Sequence, residues 1–183
     1  THENTRGTNL GNGTWKYTVQ RSQHNYEFGE YSVHVYAYDN AGNAKAINIL
    51  YVLKDQVKPT ISVTGNPTAW TKDDVTLTVS ASDVHTGVKS ITLPDGTVVM
   101  KNGGKGETVS HTYVVTKSGN YTFSATDMYD NTITQTVIVN MIDKTNPSGT
   151  ITPNIAKDWT NTDVLLTVKA TDIDSGVKSI TLP

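Results

Sequence analysis

Apolar and polar residues alternate with a period of two along most of this chain, and no window carries the apolar spacing of an amphipathic helix. The clearest run extends from Val75 to Ala81, with Val, Leu and Ala on one face and Thr and Ser on the other. Such alternation predicts strands that bury one face and expose the other to water. Seven strands are predicted in the middle of the chain: 60–64, 75–81, 89–93, 97–100, 110–115, 121–126 and 133–141.

Turn residues separate these strands. In Pro94-Asp95-Gly96, proline presets φ and glycine accepts a positive φ, so this segment predicts a hairpin turn. Seven short strands within about 90 residues match the size and pattern of an immunoglobulin-like sandwich. The predicted fold class is therefore all-β, with tandem immunoglobulin-like β-sandwich repeats.

An internal repeat is the most informative feature of the sequence. Residues 70–94, WTKDDVTLTVSASDVHTGVKSITLP, align without gaps with residues 159–183, WTNTDVLLTVKATDIDSGVKSITLP. The offset is 89, and 17 of the 25 positions are identical. Chance similarity in a chain rich in Thr and Val would not keep Trp, Asp, Gly and Pro in register, so we interpret the two segments as copies of one unit.

A weaker correspondence extends the repeat toward the start of the chain. A Gly-x-Tyr motif followed by Ala, Asp and Asn occurs at 29–43 and again at 119–131. The segments 53–60 and 142–149 also match, and within them 55–59 and 143–147 read as polar linkers with a proline that cannot continue a strand ladder. These matches predict three segments, which are the C-terminal part of a repeat in 1–55, a complete repeat in 56–143 and the N-terminal part of a further repeat in 144–183.

The two partial repeats leave two alternatives. Either the chain belongs to a longer protein, or the end segments complete each other between molecules. An exposed half-sandwich presents unpaired strand edges, which favour aggregation. We therefore favour a longer chain, in which neighbouring repeats are the first partners.

Charge and composition exclude several classes of partner. The formal net charge is −2 and no Lys/Arg cluster follows any strand, so nucleic acid is not an expected partner. No apolar run approaches the roughly 18 residues of a membrane span. The absence of cysteine fits a cytosolic protein or a surface protein of Gram-positive bacteria equally well.

Residues 56–183 resemble bacterial immunoglobulin-like repeats, and residues 1–55 resemble part of a group B streptococcal Bsp-like repeat. The first resemblance rests on D-K-x-x-P at 143–147, Trp70 and Trp159 before strands, A-x-D-x-x-T-G-V-K at 81–89, G-x-Y at 119–121 and A-x-D at 125–127, with Asp130 where glycine is usual. The second rests on GTWKY at 13–17, HNY at 24–26, GEY at 29–31 and VHVYA at 33–37. The resemblance implies an extracellular protein, secreted or attached to the cell wall of Gram-positive bacteria, with a modular role. It does not identify a ligand.

Catalytic chemistry has little support in the sequence. There is no cysteine nucleophile, no G-x-S-x-G motif, and no spacing of the five histidines that suits a metal. Glu27 and Glu30 are close in sequence but fall in a predicted loop with no second feature of an acid–base site. We predict that the chain is not an enzyme.

Calcium is the one cofactor that the sequence suggests. Hard cations need several oxygen ligands, and Asp/Asn-rich turns offer them. In the complete repeat, His85 stands where the later copy has an Asp, which weakens that loop as a site. The alternative is that these side chains cap their own turns. The candidate ligands are Asp39, Asn43, Asp127, Asp130, Asp172 and Asp174.

Aromatic residues in the first segment suggest a contact surface for a glycan or a protein. Alternation places Tyr36 and Tyr38 on the face opposite Tyr31, and Trp15 precedes them. Cross-strand aromatic packing is the alternative. Trp70 and Trp159 share one repeat position, and we expect them to pack at the end of a sandwich.

Two functions follow as hypotheses: a spacer that presents a distal domain, or a module that binds cell-wall glycan, host glycan or a host protein through Trp15, Tyr36 and Tyr38.

Overall fold

The structure is a computed structural model that describes residues 7–20, 22, 27–155 and 159–182. These residues form β-strands and turns and contain no α-helix, which confirms the predicted all-β class. Within the same residues, no helix is long and apolar enough to cross a membrane. The chain divides into two compact units, Thr1–Val57 and Lys58–Pro183.

The first unit contains two antiparallel hairpins. Strand β1 (Thr8–Gly11) pairs with β2 (Thr14–Lys16), and β3 (Gly29–Tyr38) pairs with β4 (Ala44–Leu53). Most side chains of β3 and β4 are exposed on both faces of the hairpin. The HNY part of the sequence resemblance, at 24–26, lies outside the described residues.

The second unit contains a two-sheet arrangement made of seven strands. One sheet has the order β5-β6-β9 and the other the order β11-β10-β7-β8, with antiparallel pairing throughout. The strands are β5 (Thr60–Thr64), β6 (Val75–Ser82), β7 (Val88–Thr92), β8 (Val98–Met100), β9 (Thr108–Val115), β10 (Gly119–Asp127) and β11 (Thr132–Val139). Each predicted strand is present with its ends shifted by no more than two residues.

One hydrophobic core joins the two sheets. Leu77 and Val79 of β6 face Ile91 of β7 and Phe123 of β10, and all four side chains are fully buried in one cluster. The Phe123 ring meets Tyr113 edge to face, with ring centroids 5.9 Å apart. Along β6, buried positions alternate with less buried ones, which confirms the period-two prediction for this strand.

The turn predicted at Pro94-Asp95-Gly96 is present. Gly96 has a φ of 85°, and its N–H donates to the carbonyl oxygen of Leu93 at 2.9 Å. A carboxylate oxygen of Asp95 accepts the N–H of Thr97 at 2.9 Å. The turn holds β7 and β8 in register.

The remaining strands form a separate hairpin in the same unit. Strand β12 (Ser148–Pro153) pairs antiparallel with β13 (Leu166–Thr171) as a two-stranded sheet. Large apolar side chains on it, such as Ile151, stay exposed. The expectation that Trp159 packs a sandwich end is wrong, because its side chain is fully exposed. Trp70 is about half exposed, at 47%, so it packs only in part.

Candidate functional site

Asp83 lies in the loop between β6 and β7. Its Oδ1 accepts the N–H groups of His85 at 2.9 Å, Thr86 at 2.6 Å and Gly87 at 3.2 Å, and the hydroxyl of Thr86 at 3.2 Å. Burial alone would raise the pKa of Asp83, but these hydrogen bonds outweigh it and hold the pKa below its ordinary value. The carboxylate therefore stays ionised in the folded protein near neutral pH.

Asp127 ends β10 and holds the turn that leads into β11. Its Oδ1 accepts the N–H groups of Tyr129 and Asn131, each at 2.8 Å, and its Oδ2 accepts the Asn131 side-chain amide at 2.7 Å. Asp130, within this turn, has a φ of 66°, a conformation that Asp tolerates better than most residues. The side chain of Asp127 thus organises its turn, as the capping alternative predicts.

Strand pairing brings the two carboxylates together. Strand β10 pairs with β7 so that Asp127 lies opposite Val88, beside the loop that carries Asp83. A carboxylate oxygen of each residue lies within 4.8 Å of the other. The side chains are almost fully buried, with Asp83 2% exposed and Asp127 fully enclosed. The Oδ2 atom of Asp83 is buried and has no hydrogen-bond partner.

The other candidate ligands are placed differently. Asp39 holds a turn like that of Asp127, because its carboxylate accepts the N–H groups of Ala41 at 2.9 Å and Asn43 at 2.8 Å and the Asn43 amide at 2.7 Å. This turn is exposed, and the Asn43 amide is the main reason that the pKa of Asp39 is lowered. Asp130 instead pairs with Lys89 at 2.6 Å on the surface.

Asp172 and Asp174 lie in the loop after β13. The Oδ1 of Asp172 accepts the N–H groups of Ser175 and Gly176, each at 2.9 Å, which repeats the geometry of the Asp83 loop. Asp174 is exposed. Of the six predicted ligands, the structure therefore places only Asp127 in a buried carboxylate pair within one unit.

The segment that connects β11 to β12 forms a second polar centre. The Oδ2 of Asp143 accepts the Ser175 hydroxyl at 2.6 Å and the Ser175 N–H at 3.1 Å, while its Oδ1 accepts the N–H of Thr145 at 2.9 Å. The hydrogen bond from the Ser175 hydroxyl is the main reason that the pKa of Asp143 is lowered. A shallow groove of about 450 Å³ lies beside this linker, with Trp70 in its wall.

The predicted aromatic contact residues are all exposed. Trp15 on β2 is 59% exposed, and Tyr36 and Tyr38 on β3 are 58% and 71% exposed. Tyr36 and Tyr38 share one face of the β3–β4 hairpin, because they stand two residues apart on one strand. Trp15 belongs to the other hairpin, which has no strand pairing with β3.

Sequence reasoning did not include Asp83 among the calcium ligands. The sequence analysis discounted this loop because His85 replaces an Asp. In the structure, the first Asp of the loop, Asp83, is the buried residue that accepts the N–H groups of the loop. The signal was present in the sequence, because Asp83 and Asp172 both begin an Asp-x-x-(Thr/Ser)-Gly motif.

No family model, curated protein or solved structure matches this chain, so its function is inferred from its own residues.

Proposed function

We propose that this chain is a non-catalytic spacer segment of a Gram-positive cell-surface or secreted protein, built from immunoglobulin-like repeats. In this role, successive sandwiches hold a distal domain away from the cell wall, and each repeat contacts mainly its neighbours in the chain. The strand order supports the immunoglobulin-like assignment. If the seven strands of the complete repeat are lettered A, B, C, C′, E, F and G, sheet A-B-E faces sheet C′-C-F-G.

The linker after the complete repeat is the observation that carries this proposal. On the side of the complete repeat, the N–H of Asp143 donates to the carbonyl of Thr71 at 2.9 Å, and Lys144 forms an ion pair with Asp74. On the other side, Asp143 accepts two hydrogen bonds from Ser175. A linker bonded on both sides limits bending at the junction, which is the property that a spacer needs.

The junction can be tested by measuring a distance distribution between two spin labels. The chain has no cysteine, so Thr112→Cys on β9 and Thr150→Cys on β12 give two labelled sites without background. Both positions are exposed and lie on strands on either side of the linker. Pulsed electron paramagnetic resonance then reports how widely the distance between the labels varies.

We expect a narrow distribution in the otherwise unmodified chain and a broader one after Asp143→Ala or Ser175→Ala. The matched control is Asp95→Asn, which alters the turn between β7 and β8 but no junction contact. A distribution as broad in the parent chain as in the two junction variants would overturn the proposed fixed junction.

A binding module is the second candidate function, and the exposure of Trp15, Tyr36 and Tyr38 favours it. Flat aromatic rings at the surface suit stacking on sugars or contact with a protein. The test is co-sedimentation of the chain with purified Gram-positive peptidoglycan, together with a glycan array. The spacer function predicts no retention. Retention that Trp15→Ala or Tyr36→Ala abolishes would instead establish the binding function.

A further inference from the structure

We propose that the buried carboxylates of Asp83 and Asp127 bind a divalent cation, for which Ca²⁺ is the best chemical fit. Both residues lie in the second unit, with a carboxylate oxygen of each within 4.8 Å of the other. The spacer function does not depend on this site, and cation binding at the site does not depend on the spacer function.

One buried carboxylate oxygen has no hydrogen-bond partner, and this atom points to a bound cation. The Oδ1 of Asp83 accepts all four of that side chain's hydrogen bonds, whereas Oδ2 is buried and accepts none. Buried polar atoms in native proteins nearly always have a partner, and an unpartnered charged oxygen is especially costly. A cation bound to Oδ2 supplies that partner without disturbing the bonds that shape the loop.

The charge balance points the same way. Neither carboxylate forms an ion pair with a basic side chain in the part of the chain that the structure describes. Two buried carboxylate side chains with oxygens this close together are a favourable ligand set for a cation. The three backbone N–H donors to Oδ1 of Asp83 can keep their bonds when a cation binds Oδ2. A divalent cation neutralises both charges and keeps those donors satisfied.

The distance suits calcium. Oxygen ligands lie about 2.3–2.6 Å from Ca²⁺, so two oxygens on one ion are at most about 5.2 Å apart. The separation of the Asp83 and Asp127 oxygens falls within this limit. Ca²⁺ also tolerates irregular geometry and fills its remaining positions with loop carbonyls and water, whereas Mg²⁺ demands a near-ideal octahedron at about 2.0–2.1 Å.

The chain contains a matched control for this site. Asp39 accepts the same three hydrogen bonds in its turn as Asp127 does, from the residues two and four positions later and from an Asn amide. Asp39 is exposed and belongs to no carboxylate cluster among the residues described. The variant Asp39→Asn therefore removes the same turn carboxylate without affecting the proposed site.

The test is titration of the 183-residue chain with CaCl₂ by calorimetry, to about 10 mM, well above the dissociation constants of weak extracellular calcium modules. Thermal melts in Ca²⁺, in Mg²⁺ and in chelator accompany it. We expect one bound Ca²⁺, a higher melting temperature in Ca²⁺ than in Mg²⁺, and at least a tenfold loss of affinity in Asp83→Asn and Asp127→Asn. Asp39→Asn is expected to bind as the parent does.

Backbone NMR shifts of the unmodified chain provide the same test even if both site variants fail to fold. Calcium should shift the amides of His85, Thr86 and Gly87 and those of Tyr129 and Asn131, and leave those of residues 41–43 in place. The proposal is overturned if the parent chain neither binds calcium nor changes its melting temperature. It is also overturned if the calcium effect survives in Asp83→Asn and disappears in Asp39→Asn.

Discussion

Gly87 illustrates how one residue can fix a loop. It has a φ of 86°, and a Cβ at this position would lie 2.1 Å from the carbonyl oxygen of Gly103 and 2.7 Å from that of Gly104. Glycine is therefore needed here both for its backbone conformation and for the close approach of the loop before β9. This approach places the loop of residues 101–107 against the loop that carries Asp83.

Gly87→Ala should lower the free energy of unfolding by more than about 2 kcal/mol, because it combines backbone strain with a backbone clash. Gly96→Ala is the control, since Gly96 has nearly the same φ, 85°, and a Cβ added there would meet no atom within 4 Å. That control should cost only about 1–2 kcal/mol, the strain of the left-handed conformation. Urea unfolding of both variants measures the difference, and equal losses would contradict the role given to the Gly103 and Gly104 carbonyls.

The bond between Asp143 and Ser175 predicts a dependence on pH. The Ser175 hydroxyl is the main cause of the lowered pKa of Asp143, so the folded pKa lies below the unfolded one. The contribution of this group to stability is therefore present above the unfolded pKa of about 3.9 and is lost as pH falls through the folded value. The melting temperatures of the parent and Ser175→Ala should differ at pH 7 and converge as the pH falls through the folded pKa of Asp143. A difference that persists unchanged at low pH would show that the Asp143 charge is not involved.

At the scale of the strand, alternation determines which residues form the core. In β10 the side chains of Phe123 and Ala125 are fully buried, while Thr122 faces outward and its hydroxyl pairs with that of Thr136 on β11 at 2.8 Å. Alternating burial of this kind is visible in a single sequence, because it depends only on the period of the strand. The seven strands β5 to β11 were therefore predictable to within two residues.

Phe123→Ala should destabilise the second unit by about 3–5 kcal/mol, because it empties the centre of the core. Ile138→Ala on the neighbouring strand β11 is the control; its side chain is 62% exposed and its loss should change stability by no more than about 0.5 kcal/mol. Chemical denaturation followed by circular dichroism measures both. A loss below about 1 kcal/mol in Phe123→Ala would contradict the position of this side chain in the core.

At the scale of the whole molecule, the sequence was least informative where distant residues meet. Asp83 and Asp127 belong to different strand connections and come together only because β10 pairs with β7 in a particular register. Register is a property of the assembled sheet, so alternation within one strand could not reveal the pair. Likewise, the pattern placed Trp159 in a sandwich end, but its side chain is fully exposed, because burial depends on tertiary packing that alternation does not report.

The proposed spacer function can be tested by pulling on a single molecule from its two ends. A spacer must keep its repeats folded under tension, so we predict that the complete repeat resists low force and then opens in one discrete step. That step should lengthen the molecule by roughly 250 Å, which is the extended length of the 88 residues of 56–143 less their folded span. A smooth extension at low force, with no step of that size, would contradict the proposed function.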